Sequence, residues 1–158
     1  MSGIVRAGVL ALLAVAVARS DSRPPNLNGT WHLEVAKSRW GTVRKPISVI
    51  VKVDHREPQL NYQGTIFWAN DDDRPFSFSG AIDGKEYPLR GSSGEGKIVL
   101  RRVDSYTVLS TFKSDDGNVV ENVNTTLSRD GKTMSRRIRV RDPQGERAWT
   151  EIYVRDPI

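Results

Sequence analysis

Val119 to Arg155 reads VVENVNTTLSRDGKTMSRRIRVRDPQGERAWTEIYVR. It contains three runs of alternating character separated by two turn signals. Asp130-Gly131 suits a tight hairpin turn, because Gly takes positive φ at no steric cost and Asp tolerates it. Asp142-Pro143-Gln144-Gly145 suits a type I turn with Pro second and Gly in the left-handed bulge position. Strands joined by such short turns must run antiparallel. A two-residue turn at Asp130-Gly131 sets Leu127 opposite Met134, Thr125 opposite Arg136 and Val123 opposite Ile138. A three-residue loop over Pro143 to Gly145 sets Val140 opposite Ala148, Ile138 opposite Thr150 and Arg136 opposite Ile152. Met134, Ile138, Val140, Ile152 and Val154 then share one face with Arg136. Arg137, Arg139 and Arg141 take the other face, with Glu151 opposite Arg137 and Trp149 across from Arg139. Period-two register is strict, since a slip of one residue reverses every side chain.

The same alternation runs back along the chain. Trp31, Leu33 and Val35 share a face in Thr30 to Val35. Ile47, Val49, Val51 and Val53 share one in Ile47 to Val53. Leu60 to Trp68 is a third strand, and Phe76, Phe78, Gly80 and Ile82 line a fourth. Lys85 to Leu89 is short, and Pro88 marks it as an edge or irregular strand. Lys97 to Val103 and Tyr106 to Lys113 lead into the opening stretch. Asp83-Gly84 and Asp116-Gly117 supply further turns. The chain is therefore expected to be all-β, an up-and-down antiparallel β-barrel of about ten strands. Glu34 to Trp40 has room for one helical turn at most. Little or no helix is expected outside the N-terminal segment.

Arg6 followed by the apolar run Ala7 to Ala18, ending Ala16-Val17-Ala18, has the form of a signal peptide with an A-x-A cleavage site. The run is too short for a membrane span. Residues 1–18 are thus read as signal peptide, 19–28 as an extended leader containing Pro24-Pro25, and 29–158 as the barrel. The mature chain is expected in the periplasm or secreted, as a monomer with no transmembrane span. The formal charge of +5 falls to +4 once residues 1–18, whose only charge is Arg6, are removed. A basic surface favours anionic partners such as the cell envelope, while export argues against nucleic acid. The absence of Cys rules out disulfides, thiolate metal sites and a cysteine nucleophile.

The order of motifs carries a resemblance. Gly29-Thr30-Trp31 on the first strand is the G-x-W start of the lipocalin and fatty-acid-binding (calycin) superfamily. Leu27 to Leu33, Lys37-Ser38-Arg39-Trp40-Gly41, Asp83 to Pro88 and Asp130-Gly131-Lys132 together resemble small secreted bacterial lipocalin-like proteins of unknown function. The resemblance implies a barrel whose interior holds a small apolar or amphipathic ligand. It also marks two departures. Only about ten residues separate Val35 from Pro46, where fatty-acid-binding proteins insert a helical portal. The Arg-x-Tyr pair that holds a carboxylate on that family's last strand stands here as Glu151-x-Tyr153.

Candidate ligand-binding residues are Trp31, Tyr62, Phe76, Phe78, Tyr106, Arg136 and Tyr153. Each aromatic among them would serve equally in a filled core, which small barrels often have. Trp31 reads first as a core plug at one end of the barrel. Arg136 on an apolar face needs a partner, either an anionic ligand group or an internal one such as Glu121. His32 and His55, the only histidines, read as surface residues. No zinc, calcium or P-loop pattern is complete: Asp71-Asp72-Asp73 lacks spaced ligands, and Gly91 to Gly96 reads as a flexible loop. The expected function is a non-enzymatic, cofactor-free exported carrier. Its alternative is a filled barrel acting as a structural or interaction module through its basic outer face. An interior cavity above roughly 300 Å³ separates the two.

Overall fold

Alternation becomes ladder. The computed structural model describes residues 26–91 and 94–157. The signal-like segment 1–18 and most of the leader lie outside the described residues. The strands are β1 (Gly29–Leu33), β2 (Ser48–Arg56), β3 (Gln59–Phe67), β4 (Arg74–Ala81), β5 (Glu86–Gly91), β6 (Gly94–Asp104), β7 (Thr107–Ser114), β8 (Val120–Leu127), β9 (Thr133–Asp142) and β10 (Gly145–Arg155). All neighbours pair antiparallel, in the order β4-β3-β2-β1-β10-β9-β8-β7-β6-β5. Pairing of β1 with β10 curls the meander into a ten-stranded barrel. β4 and β5 end the order and stand side by side without a ladder, so one seam interrupts closure. Pro88 lies on β5, an edge strand, where a missing N–H costs no ladder bond. Among the described residues there is no helix. Glu34 to Ser38 makes a single turn, with Lys37 and Ser38 N–H donating to the Glu34 carbonyl.

The β8–β9 hairpin has the expected register, with Leu127 opposite Met134 and Thr125 opposite Arg136. The β9–β10 hairpin is displaced by one residue from expectation. Asp142 pairs with Gly145, so the turn is Pro143-Gln144 alone. The Asp142 carboxylate accepts the Gln144 N–H at 2.9 Å, and Gly145, at φ +119°, already belongs to the strand. Ile138 therefore faces Trp149, Arg136 faces Glu151, and Met134 faces Tyr153. Trp149, Glu151 and Tyr153 point inward, and Ile152 and Val154 do not share their face. Glu151 is not opposite Arg137, and Trp149 is not on the arginine stripe. The expected loop over Gly91 to Gly96 is likewise shorter, since Gly91 pairs with Gly94 and Leu89 with Gly96. The Lys113 carbonyl and the Phe112 ring fill the space a Cβ at Gly96 would need, so glycine serves close packing there.

One end of the barrel is closed. Trp31 is fully buried and packs with Leu33, Val49, Val51, Leu127, Met134 and Tyr153. Its Nε1 donates to the Leu27 carbonyl at 2.9 Å, and the Arg155 guanidinium lies 4.6 Å from its ring centroid. Asn26 to Asn28, assigned to the leader, thus pass across this end as its floor. His55 holds them. It is only 2% exposed, contrary to the surface position expected for it. The β2 alternation Val49, Val51, Val53 continues one step further than the apolar residues do and carries His55 inward. The Leu27 N–H donates to His55 Nδ1 at 3.0 Å, which leaves the ring proton on Nε2, 2.8 Å from Glu57 Oε2. Arg102 completes the chain on Glu57 and holds that carboxyl below its ordinary pKa. His32 lies outside, 2.8 Å from Asp156.

Trp31→Ala should lower unfolding free energy by about 3–5 kcal/mol, the range for deleting a buried aromatic. Urea unfolding of the purified protein measures it. A loss below about 1 kcal/mol would show that the floor does not depend on Trp31.

Candidate ligand-binding cavity

Inward positions on a nearly closed barrel need not meet in the middle. β2 supplies Val49, Val51 and Val53, β3 Leu60, Tyr62 and Ile66, and β9 Met134, Arg136, Ile138 and Val140. Ser110 and Thr125 occupy inward positions on β7 and β8, where they leave space a larger side chain would take. The result is a cavity of about 500 Å³. Trp40, Arg44, Trp68, Arg74, Arg90 and Arg147 line its mouth, opposite the Trp31 floor. Arg44 lies 4.7 Å from the Trp68 ring centroid and shares Asp71 with Arg74. The segment after β1 flanks this mouth and is stitched to β10: Ser38 Oγ accepts the Ile152 N–H at 3.0 Å, and Arg39 exchanges backbone bonds with Thr150.

The apolar wall carries one polar cluster, centred on Glu151. Its carboxylate accepts Trp149 Nε1–H at 2.9 Å, Tyr153 O–H at 3.0 Å and Arg136 Nη1–H at 3.1 Å. Glu151 is 14% exposed and Arg136 33%, the latter toward the cavity. Burial alone would lower the Arg136 pKa, but Glu151, followed by the Tyr153 and Tyr62 hydroxyls and Glu121, holds it above the ordinary value. The guanidinium is thus a permanent cation with an internal partner. Burial, then the Glu151 charge, pushes the Tyr153 hydroxyl up. Burial pushes Tyr62 up as well, against the pull of Arg136. Glu121 also faces the cavity, and its carboxyl is raised by burial and by Glu151, with Arg136 opposing.

Four of the expected residues line the cavity: Tyr62, Phe76, Arg136 and Tyr153. Trp31 belongs to the floor instead. Phe78 points into the barrel but is buried deeper, packed with Leu60, Ile98, Leu100, Val108 and Phe112, 5.3 Å from Tyr62 and 6.1 Å from Tyr87, and steadies Tyr62 from the side. Tyr106 sits in the β6–β7 turn at the closed end, where its carbonyl accepts the Leu127 N–H. Sequence reasoning missed Glu151 and Trp149 as interior residues, because the extra loop residue turned them outward. It also missed the mouth residues Trp40, Arg44 and Trp68, which lie in or beside segments without period-two alternation.

No protein-family model and no curated protein matches this sequence. Solved structures do match its shape. A Schistosoma mansoni fatty acid binding protein in complex with arachidonic acid superposes with a TM-score of 0.57 at 15% identity, over 83% of this chain and 96% of the other. A zebrafish ileal bile acid-binding protein complexed with cholic acid gives 0.58 at 12% identity, over 82% and 98%. The fold is that of the fatty-acid-binding proteins. At such identities the likeness concerns the fold alone, an antiparallel barrel of the kind expected from the motif order. The comparison extends nearly the full length of those proteins.

The raised tyrosine hydroxyls give a pH dependence. A phenol whose folded pKa exceeds its unfolded value of about 10 keeps a proton that the unfolded chain releases. Its contribution to stability is complete below about pH 10 and is lost as pH rises further. Titration followed by phenolate absorbance should show Tyr62 and Tyr153 ionising only as the barrel unfolds. Their ionisation in the folded barrel near pH 10, identified with Tyr→Phe variants, would contradict this.

Proposed function

We propose that this protein is a non-enzymatic carrier that holds a small apolar or amphipathic molecule inside its barrel, and that it works outside the cytoplasm, in the periplasm or secreted. The observation that carries the first part is the cavity. Its volume of about 500 Å³ lies above the roughly 300 Å³ at which ligand pockets begin. Mostly apolar walls with a few convergent polar groups are what such pockets share. A filled barrel acting through its outer face would lack this space. Neighbours in fold were solved with arachidonic acid and cholic acid, which agrees with a lipid-like ligand class. Neither histidine reaches the cavity, since His55 is engaged at the floor on both ring nitrogens and His32 pairs outside with Asp156. That favours binding over acid–base chemistry. Export is supported by Arg6, the apolar run Ala7 to Ala18 and the A-x-A ending alone.

The uncharged dye N-phenyl-1-naphthylamine tests the carrier reading. Its fluorescence should rise saturably with one site per chain. Ser110→Trp, which places an indole in the cavity, should weaken binding at least about tenfold, or about 1.4 kcal/mol. Non-saturable fluorescence, or a folded Ser110→Trp variant binding as the parent does, would sink the reading. Export has its own test. The intact mass of protein produced with its own N-terminal segment should correspond to a chain beginning at Arg19, and retention of residues 1–18 counts against it.

A further inference from the structure

The cavity holds two carboxylates and one guanidinium that is already committed. Glu151 already accepts from three donors, Arg136 among them. Glu121 is different. It faces the cavity from β8, level with Val140 and two inward positions nearer the mouth than Thr125, the partner of Arg136. Among the described residues its carboxylate makes no hydrogen bond, and no basic nitrogen lies within 4.0 Å of it. The arginines at the mouth already have carboxylate partners within the chain. Arg44 and Arg74 pair with Asp71, Arg90 with Glu95, and Arg147 with Asp142. A partly buried carboxyl that no hydrogen-bond donor reaches is costly even with the Arg136 charge nearby, and a donor brought by a ligand relieves that cost. A carboxylate brought by a ligand would instead add a third negative charge beside a guanidinium that Glu151 occupies.

We propose that Glu121 is the specificity-determining anchor of the cavity and that its ligand is an amphipath with an amine head group, carried as an ammonium ion. This rests on the carrier reading and narrows it. Desolvated charge pairs discriminate strongly by sign, because a like charge in the same place is repelled as well as unpaired. The apolar tail would lie against Val49, Val51 and Ile138, while the ammonium meets Glu121.

The test is displacement of bound N-phenyl-1-naphthylamine by dodecylamine, dodecanol and dodecanoate at neutral pH, all below their micellar concentrations. The three share one chain and differ only in head group. Dodecylamine should displace the dye at a concentration about tenfold lower than dodecanoate, with dodecanol between them. In Glu121→Gln the ratio of amine to carboxylate displacement constants should fall to within about threefold of unity. The ratio cancels any change in dye affinity, and a thermal melt reports whether the variant is folded. Arg137→Gln, on the outer face, should leave the ratio as it is. Equal or better displacement by dodecanoate from the parent protein overturns the proposal while leaving the carrier reading intact, as does an unchanged ratio in folded Glu121→Gln. Failure of the parent to bind the dye at all overturns both.

Discussion

The chemistry of the interior depends on a single two-residue turn. Pro143-Gln144 brings Asp142 directly opposite Gly145, and the ladder from there puts Glu151 across from Arg136. Lengthening the turn by one residue would send Trp149, Glu151 and Tyr153 outward and bring Thr150, Ile152 and Val154 inward. Arg136 would then stand in an apolar interior without its carboxylate. Removing one member of a buried ion pair costs far more than the pair is worth, because the remaining charge is left desolvated. The register is thus enforced twice, by the turn at one end of the hairpin and by the Arg136–Glu151 pair inside it. Tyr153, buried beside Met134 and Leu33, adds an apolar reason of the same sign.

The two ends of the barrel are built on opposite principles. At the floor, backbone polar groups that strand pairing leaves over are met by side chains: Leu27 N–H by His55, the Leu27 carbonyl by Trp31 Nε1–H, and the Asn26 carbonyl by Arg155. The Leu27–His55 and Asn26–Arg155 bonds span distant parts of the chain, so the floor ties β1, β2 and β10 together. At the mouth, charge replaces packing. The arginines there are paired but solvent-exposed, and such pairs add little stability. The segment after β1 is tethered through Ser38 and Arg39 and forms no helix over the opening. One end is rigid by construction, and the other leaves access.

Much of this was legible in alternation and turn chemistry. Ten strands, their antiparallel meander, the β8–β9 register and the inward position of Arg136 all follow from period two and from Asp-Gly turns. What escaped has specific causes. Pro at the second turn position and Gly at the fourth are compatible with two-residue and three-residue loops alike, and the apolar residues Ile152 and Val154 made the wrong choice look consistent. His55 escaped because a polar residue at an inward position breaks the hydrophobic pattern while keeping the geometric one. Hollowness was implied by the resemblance but not legible in the alternation, since Tyr62, Phe76 and Phe78 carry the same sequence signal whether they line a space or fill it. Phe78 fills interior space against Leu60, Ile98 and Phe112, whereas Tyr62 and Phe76 line the cavity.

Hollowness also explains why the interior is not purely apolar. An empty apolar cavity costs about 24 cal/mol per Å³. The space must therefore be filled, by ligand or by water, and water enters only where polar groups receive it. Arg136, Glu151, Tyr62, Tyr153 and Glu121 are those groups. Four of them form one electrostatic neighbourhood around the Arg136 guanidinium, which keeps the unliganded barrel wettable without leaving its cation unpaired. Glu121 is the member that no protein donor satisfies. The arrangement that makes an empty cavity tolerable thus also leaves one carboxylate whose partner has to come from outside.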